Sequence, residues 1–362
     1  MKIVIFCGGH GTRLWPVSRQ SFPKPFVPLL NGKSFFQITY ARYRKVYSPE
    51  DIFVSTEDKY LPFVRKQATE IPRKNIILEP ERRDTLAAYG LATAVVHKYY
   101  PDEPVLMSWA KHLIARESVF LNAVGVAGEY SQESGMIVSV DAKPSFASVH
   151  NGWVKKGEVL KVVNGFKVVE QERHVEKPAE PLAEKLFAEK NWLIHTGYKV
   201  CDTTKLLGYF EKFQPAMHNG LIKIAQAWGT KEQKAVLERE YRNFEKTSID
   251  YGLLEKLPRN AVATIEADMG WEDVGISWET FYKSLATSKQ TTVVEGGVDT
   301  EFLEAENNLI IGQKGKMIMV IGVSDVAVID TPDGLLVCRL DKTQKVKDVY
   351  EKLERYNKEY TE

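Results

Sequence analysis

Residues 2–26 read KIVIFCGGHGTRLWPVSRQSFPKPF, and their order sets the fold. A short β-branched run, Ile3 to Phe6, stops at Gly8, Gly9 and Gly11, where no Cβ stands between backbone N–H groups and an approaching anion. Thr12 follows, and Arg13 and Lys24 add charge-assisted donors for phosphate oxygens. A strand that empties into a cationic glycine loop opens an α/β sheet with its chemistry at the carboxyl ends of the strands. Two other glycine motifs are excluded. The dinucleotide fingerprint needs a third glycine where Leu14 stands, and a Walker loop ending in Gly32, Lys33 and Ser34 needs one where Val27 stands.

Outward from this loop, short β-branched runs alternate with longer amphipathic ones, the pattern of a mainly parallel sheet covered by helices. Strands are expected at Ile52 to Ser55, Ile76 to Leu78, Val105 to Ser108 and Met136 to Val140. Ser34 and Gln37 have capping-box spacing, and Asp84 is expected to cap the helix through Ala87, Ala88 and Leu91. After Ser284 the texture changes to Leu309 to Ile311, Met317 to Ile321 and Val326 to Ile329, punctuated by Gly and Asp. The expected organisation is therefore a Rossmann-like α/β segment, residues 1–284, followed by a β-rich segment, 285–362. Thr331 to Gly334 reads as a turn. A last helix is expected to bury Val346, Val349, Tyr350 and Leu353 behind a Thr343 cap.

Composition narrows the partners. Forty-nine basic residues against 48 acidic ones leave a net charge of +1, so no global field draws nucleic acid or an anionic membrane, and phosphate handling must be local. Cys7, Cys201 and Cys338 lie far apart, against both a disulfide framework and a zinc site. The strand beginning next to Met1 leaves no room for the apolar core of a signal peptide, so a cytoplasmic protein is expected.

GGHGTRLWPVSR followed by PKPF resembles the opening of the nucleotide-sugar pyrophosphorylases, closest to the mannose-1-phosphate guanylyltransferases. The resemblance recurs at Glu79, Pro80, Arg83 and Thr85, at Val175 to Pro178 (VEKP), at Ser248 to Tyr251 (SIDY) and at Trp271, Asp273, Val274 and Gly275. In the tail, Ile321, Gly322, Asp325, Val328, Asp330, Thr331 and Leu335 resemble the family's carboxyl-terminal left-handed β-helical segment.

The resemblance implies a reaction in which a sugar 1-phosphate attacks the α-phosphorus of GTP and pyrophosphate leaves, with no side-chain nucleophile. It implies substrate contacts from Gly8, Gly9, Gly11 and Thr12, with Arg13 on the leaving pyrophosphate, Lys24 near the α-phosphate and Lys177 on the sugar phosphate. Glu176 would accept sugar hydroxyls, and Glu79, Arg83 and Asp84 would lie near the base. His195 and Gly197 fall in the block WLIHTG, near the sugar or base, and Asp250 would order the sugar pocket, or act as a cap or a salt-bridge partner. Trp271 is expected to pack rather than touch ligand.

Relatives share a Mg²⁺ ion between Asp273 and an aspartate that follows the strand ending here at Ser108 and Trp109. In this chain the block reads Ala110, Lys111, His112, Leu113 and Ile114, and an ammonium cannot ligate magnesium. Either the ion is held differently, or Lys111 takes over part of its charge, or catalysis is lost. Asp84, His195 and the segment Val149 to Trp153 also depart from the family pattern, which bears on base and sugar more than on reaction type. Three readings follow: a guanylyltransferase for mannose 1-phosphate, a pyrophosphorylase for another nucleotide or sugar, and a non-catalytic nucleotide-sugar-binding regulator. A homodimer through the β-rich tail is also expected.

Overall fold

The computed structural model describes residues 1–9 and 11–362; His10, a member of the glycine loop, lies outside the described residues. The chain falls into two compact units, one of Met1–Cys7, Arg42–Trp109 and Ile114–Trp271, the other of Gly8–Ala41, Ala110–Leu113 and Glu272–Glu362.

The first unit is built on a ten-stranded mixed sheet. Lys2–Phe6 runs parallel to both Ile52–Glu57 and Pro104–Trp109, and Ile76–Glu79 closes that edge. Every residue of Lys2–Phe6 is buried, as expected for a strand covered on both faces. Beyond Pro104–Trp109 the sheet turns mixed. Lys199–Asp202 enters antiparallel, Ile137–Ala142 and Val262–Ala267 pair parallel, and a long hairpin of Gly152–Val163 and Phe166–Val175 follows, with Trp192–His195 pairing antiparallel to both Gly152–Val163 and Ile137–Ala142. Asn164 and Gly165, both with positive φ, make the hairpin's two-residue turn.

The helix Asp84–Tyr99 is buried continuously from Leu86 to Val96, so it needs cover on its outer side as well. Thr203–Phe213 and Pro215–Ala227 supply it through Leu206, Leu207, Phe210, Met217 and Leu221. Asp84 does not cap this helix. It is the first helical residue, sits at φ 63° and turns its carboxylate onto the N–H of Thr85, while no side chain caps the end.

In the second unit the Ser34 and Gln37 capping box closes reciprocally, Gln37 N–H donating to Ser34 Oγ at 3.1 Å and Ser34 N–H to Gln37 Oε1 at 3.0 Å. Val293–Glu295, Leu309–Ile311 and Val326–Asp330 stack in parallel, Asp299–Leu303 pairs in parallel with Met317–Ile321, and Leu335–Arg339 folds back through the expected turn. This β-rich stack shares one core with residues beside the glycine loop: Leu14, Val27 and Phe35 pack with Val274, Trp278, Leu309 and Ile329. Arg19 pairs with Asp333 at 2.8 Å and Trp15 Nε1 donates to the Tyr360 carbonyl at 2.8 Å, so the tail braces the loop's exit.

The last helix, Val346–Tyr356, buries Val346 and Tyr350 but leaves Val349 half-exposed. Thr343 is not its cap. It lies in a preceding 3-10 turn, Leu340–Lys345, where its hydroxyl donates to the Leu340 carbonyl and accepts from Glu279 N–H.

Candidate active site

In the second unit the glycine loop enters a 3-10 turn, Thr12–Leu14, from Gly11 at φ 69°. A Cβ on Gly11 would stand 2.5 Å from Lys24 Cβ and 2.7 Å from Ser18 Oγ, so only glycine lets the loop lie against the lysine. Arg13 is exposed, whereas Lys24 is buried. The Lys24 ammonium reaches toward the Gly275 carbonyl at 3.4 Å. A Cβ on Gly275 would sit 1.9 Å from that Nζ, so a side chain there would displace the Lys24 ammonium.

Lys111 Nζ donates to Asp273 Oδ2 at 2.7 Å, and His112 Nε2 stands 3.7 Å from the same oxygen. Asp273 Oδ1 accepts the Gly275 N–H at 3.2 Å. Burial alone would raise the Asp273 carboxyl, but Lys111, His112 and Lys24 outweigh it and hold it well below the usual range. Burial pushes Lys24 down to about 8; Asp273 opposes this, while Lys111 and Arg13 add to it. His112 is pushed down to about 4, chiefly by burial, and is neutral at pH 7. Two lysines against one carboxylate leave this cluster net positive. Arg13, Lys24, Lys111 and Asp273 are thus brought together in one unit.

These residues do not fit a protein-held magnesium ion. Mg²⁺ seeks oxygen ligands, and the carboxylate at this place is taken up by an ammonium. Among the described residues no group of three or more His, Cys, Asp and Glu is placed to hold a metal.

The first unit carries the remaining site residues. Glu79 ends the edge strand Ile76–Glu79 and is buried, its two oxygens taking donors from Ser55 Oγ (3.0 Å) and Tyr241 OH (2.8 Å). Burial pushes it up to about 6 against both hydrogen bonds. Arg83 is held by Glu81 and by the Phe244 carbonyl, and Thr85 Oγ1 accepts the Ile249 N–H at 2.8 Å.

Farther along the sheet, Asp141 lies in the strand Ile137–Ala142 with no exposure. Its carboxylate accepts from Thr196 N–H at 3.1 Å and from Thr264 Oγ at 2.7 Å, and faces His195 Nδ1 at 3.1 Å. Burial would raise it, but His195, Lys199 and these bonds keep it low and ionised. Nδ1 of His195 is therefore the donor. Lys177 sits at φ 43° and donates to Glu176 Oε1 at 2.6 Å. Gly197 approaches Trp109 so closely that a Cβ would meet Nε1 at 2.5 Å. Asp250 lies in the turn of helix Ile249–Gly252, but the cap is Ser248, whose Oγ accepts the Tyr251 N–H.

Sequence reasoning passed over Asp141, His174, Tyr241 and Lys199. For Asp141 a signal existed, a carboxylate closing the apolar run MIVSVD; Tyr241 and Lys199 owe their places to tertiary packing alone.

A net-positive cluster beside a glycine loop, in a chain built on an α/β sheet, is the equipment of an enzyme that handles phosphates. Residues 2–291 match the nucleotidyl transferase family, and residues 302–353 match a MannoseP isomerase/GMP-like beta-helix domain. The chain belongs to the nucleotidyl transferase family. It is 31% identical over 351 residues to the xanthan biosynthesis protein XanB of Xanthomonas campestris pv. campestris, covering 96% of this chain and 72% of the relative. It is 29% identical over 360 residues to a mannose-1-phosphate guanylyltransferase of Escherichia coli, covering 97% of this chain and 75% of the relative. A solved structure from Thermus thermophilus, described as a mannose-1-phosphate geranyltransferase, superposes with a TM-score of 0.86 at 26% identity, covering 98% of this chain and 99% of that one. No helix among the described residues is long and apolar enough to cross a membrane.

Proposed function

We propose that this chain transfers GMP from GTP to mannose 1-phosphate, giving GDP-mannose and pyrophosphate. A phosphate oxygen of the sugar phosphate forms a bond to the α-phosphorus as the bond from that phosphorus to the α,β-bridging oxygen breaks, and pyrophosphate leaves with the electron pair. The observation that carries this reading is the cluster beside the glycine loop in which buried Lys24 and Asp273 meet the part-exposed Lys111. Its chemistry is that of a triphosphate cradle. Arg13 and Lys24 take the triphosphate, Glu79 and Arg83 the base side, and Glu176, Lys177 and His195 the sugar phosphate.

Lys111 supplies a fixed cation beside Asp273. One charge about 4 Å from a phosphate oxygen is worth about 4 kcal/mol at an effective dielectric near 20, enough to carry part of a metal ion's work. Any magnesium on GTP arrives as part of that substrate.

The testing experiment incubates purified protein with each nucleoside triphosphate and a panel of sugar 1-phosphates, with pyrophosphate release as the readout. GTP with mannose 1-phosphate should be fastest. Equal use of ATP in competition removes the guanine assignment; binding of GDP-mannose without any turnover favours the regulatory reading that Lys111 raises.

The outward row Leu303, Met317, Met319 and Ile321 is exposed on the pair of strands Asp299–Leu303 and Met317–Ile321, and it supports a homodimer through this face. Met319→Glu should turn dimers into monomers in light scattering. Three free cysteines, two of them buried, support a reducing compartment.

A further inference from the structure

The hairpin that carries Glu176 is irregular where a regular strand would serve. Gln171 pairs with Lys156 and Arg173 with Lys155, so the register shifts between them. In an unbroken strand Gln171 and His174, three apart, would face opposite sides of the sheet. The shift brings both to the wall of one cavity of about 40 Å³, shared with His195, Lys199, Asp250 and Leu254. Bulges of this kind re-aim side chains beside sites.

Both residues carry a buried polar atom that makes no hydrogen bond, Gln171 Oε1 and His174 Nε2. Leaving such groups unsatisfied costs about 1–3 kcal/mol each, so an occupant is called for. His174 Nε2 also stands 3.5 Å from Glu176 Oε2 and edge-on to the His195 ring, with centroids 5.2 Å apart. Gly152 makes the approach possible, because a Cβ there would meet Glu176 Oε2 at 2.6 Å and His174 Nε2 at 2.7 Å. About 10–15 Å³ of such space is enough to hold one water, so the cavity admits a small polar group such as a hydroxyl or hydroxymethyl. A second opening of about 240 Å³, lined by Gln171, His174 and Glu176 among others, adjoins it.

We infer that Gln171 and His174 form a hydroxyl-binding subsite for the sugar 1-phosphate, adjoining Glu176 and selecting the hexose by one of its hydroxyl groups. The ligand hydroxyl donates to Gln171 Oε1 and accepts from His174 Nε2–H, satisfying both orphan groups at once. A sugar lacking that hydroxyl leaves them orphaned, which is the strongest form of substrate rejection open to a polar pocket. This inference rests on the sugar-side reading of the proposed function.

The test is a cycle between protein and substrate deletions. Mannose 1-phosphate and its 2-, 3-, 4- and 6-deoxy analogues are turned over by wild type, His174→Phe and Gln171→Ala, with melting temperature as a fold control and calorimetric binding of each sugar phosphate as a second readout. Wild type should lose about 10²-fold in kcat/KM on one analogue, and His174→Phe a comparable factor on the parent sugar and little more on that analogue. Gln171→Ala, trimmed at the cavity wall, gives the same reading if His174→Phe does not fold. Unchanged discrimination among all four analogues in a folded variant overturns the subsite, as does a loss of stability with no loss of discrimination, which marks a structural water. Wild type that neither binds nor turns over any sugar phosphate overturns the proposed function itself, and the subsite with it.

Discussion

The two charged clusters of this chain are built on opposite electrostatic plans. Around Asp273 one carboxylate faces two lysines, so positive charge is left over and remains available to an anion. Around Asp141 the carboxylate is saturated by Thr196, Thr264 and His195 and its charge is balanced by the single buried Lys199, so what is left over is hydrogen-bonding capacity on the neighbouring His174 imidazole. The first plan suits phosphates, whose recognition is mostly charge; the second suits hydroxyls, whose recognition is mostly direction. The lesson is that a buried acid is read by how much of its charge its neighbours have already cancelled.

The largest expected effect breaks the comparison at its phosphate end. Lys24→Ala, Arg13→Ala and Lys177→Ala should each lower kcat by about 10²-fold or more in a folded protein, since each removes a cation from a developing phosphate charge. Steady-state pyrophosphate release with melting curves checks this, and wild-type rates in all three would sink the assignment. By the same logic the cluster around Asp141 should respond in stability first. Asp141→Ala strands Thr196 N–H, Thr264 Oγ and His195 Nδ1–H together, and a loss of about 3 kcal/mol in denaturant unfolding is expected.

The next test sharpens the contrast between a fixed and a diffusible cation. If Lys111 does part of a metal's work, turnover persists with chelator in excess, and Lys111→Asp acquires a steep magnesium dependence because it sets a second carboxylate beside Asp273. The titration runs from excess chelator upward, since GTP carries its own ion. Activity that vanishes under chelation, together with an unchanged magnesium curve in Lys111→Ala, makes Lys111 a bystander.

How much of this was legible in sequence follows from what each feature depends on. The strands at Ile3, Ile52, Ile76, Val105 and Met136 were legible because a buried strand is a continuous apolar run, a local property. The capping box at Ser34 was legible for the same reason. The helices Thr203–Phe213, Pro215–Ala227 and Gln233–Tyr241 were missed although the first has a clear cap at Asp202, and the Asn164–Gly165 turn is a strong local signal that went unread. The hairpin around that turn exposes the apolar Val159, Leu160 and Val162 beside its charged residues, which blurs the alternation. No local property places Gly275 against Lys24, 251 residues away, or moves Gln171 onto the side of His174. Thr343 fails as a cap because its hydroxyl is already engaged, locally with the Leu340 carbonyl and through tertiary packing with Glu279 N–H.

The last expected effect concerns protons at His174. Burial, aided by His195 and Lys199 and opposed by Asp250 and Asp141, pushes His174 down to about 4, against about 6.5 in an unfolded chain. Between those values the unfolded chain binds a proton that the folded chain refuses, so stability rises with pH from 4 to 6.5 and falls on acidification across the same window. A separation of this size corresponds to about 3 kcal/mol at most, and His112, also pushed down to about 4, adds a slope of the same sign. The informative quantity is therefore the difference between wild type and His174→Phe, measured by denaturant unfolding from about pH 4 to about pH 7. Removing the imidazole should flatten the acid limb by up to that amount while leaving the neutral limb nearly fixed, apart from the change in packing. A variant whose acid limb stays parallel to wild type places the proton elsewhere and means that His174 takes up water at this position more freely than its burial indicates.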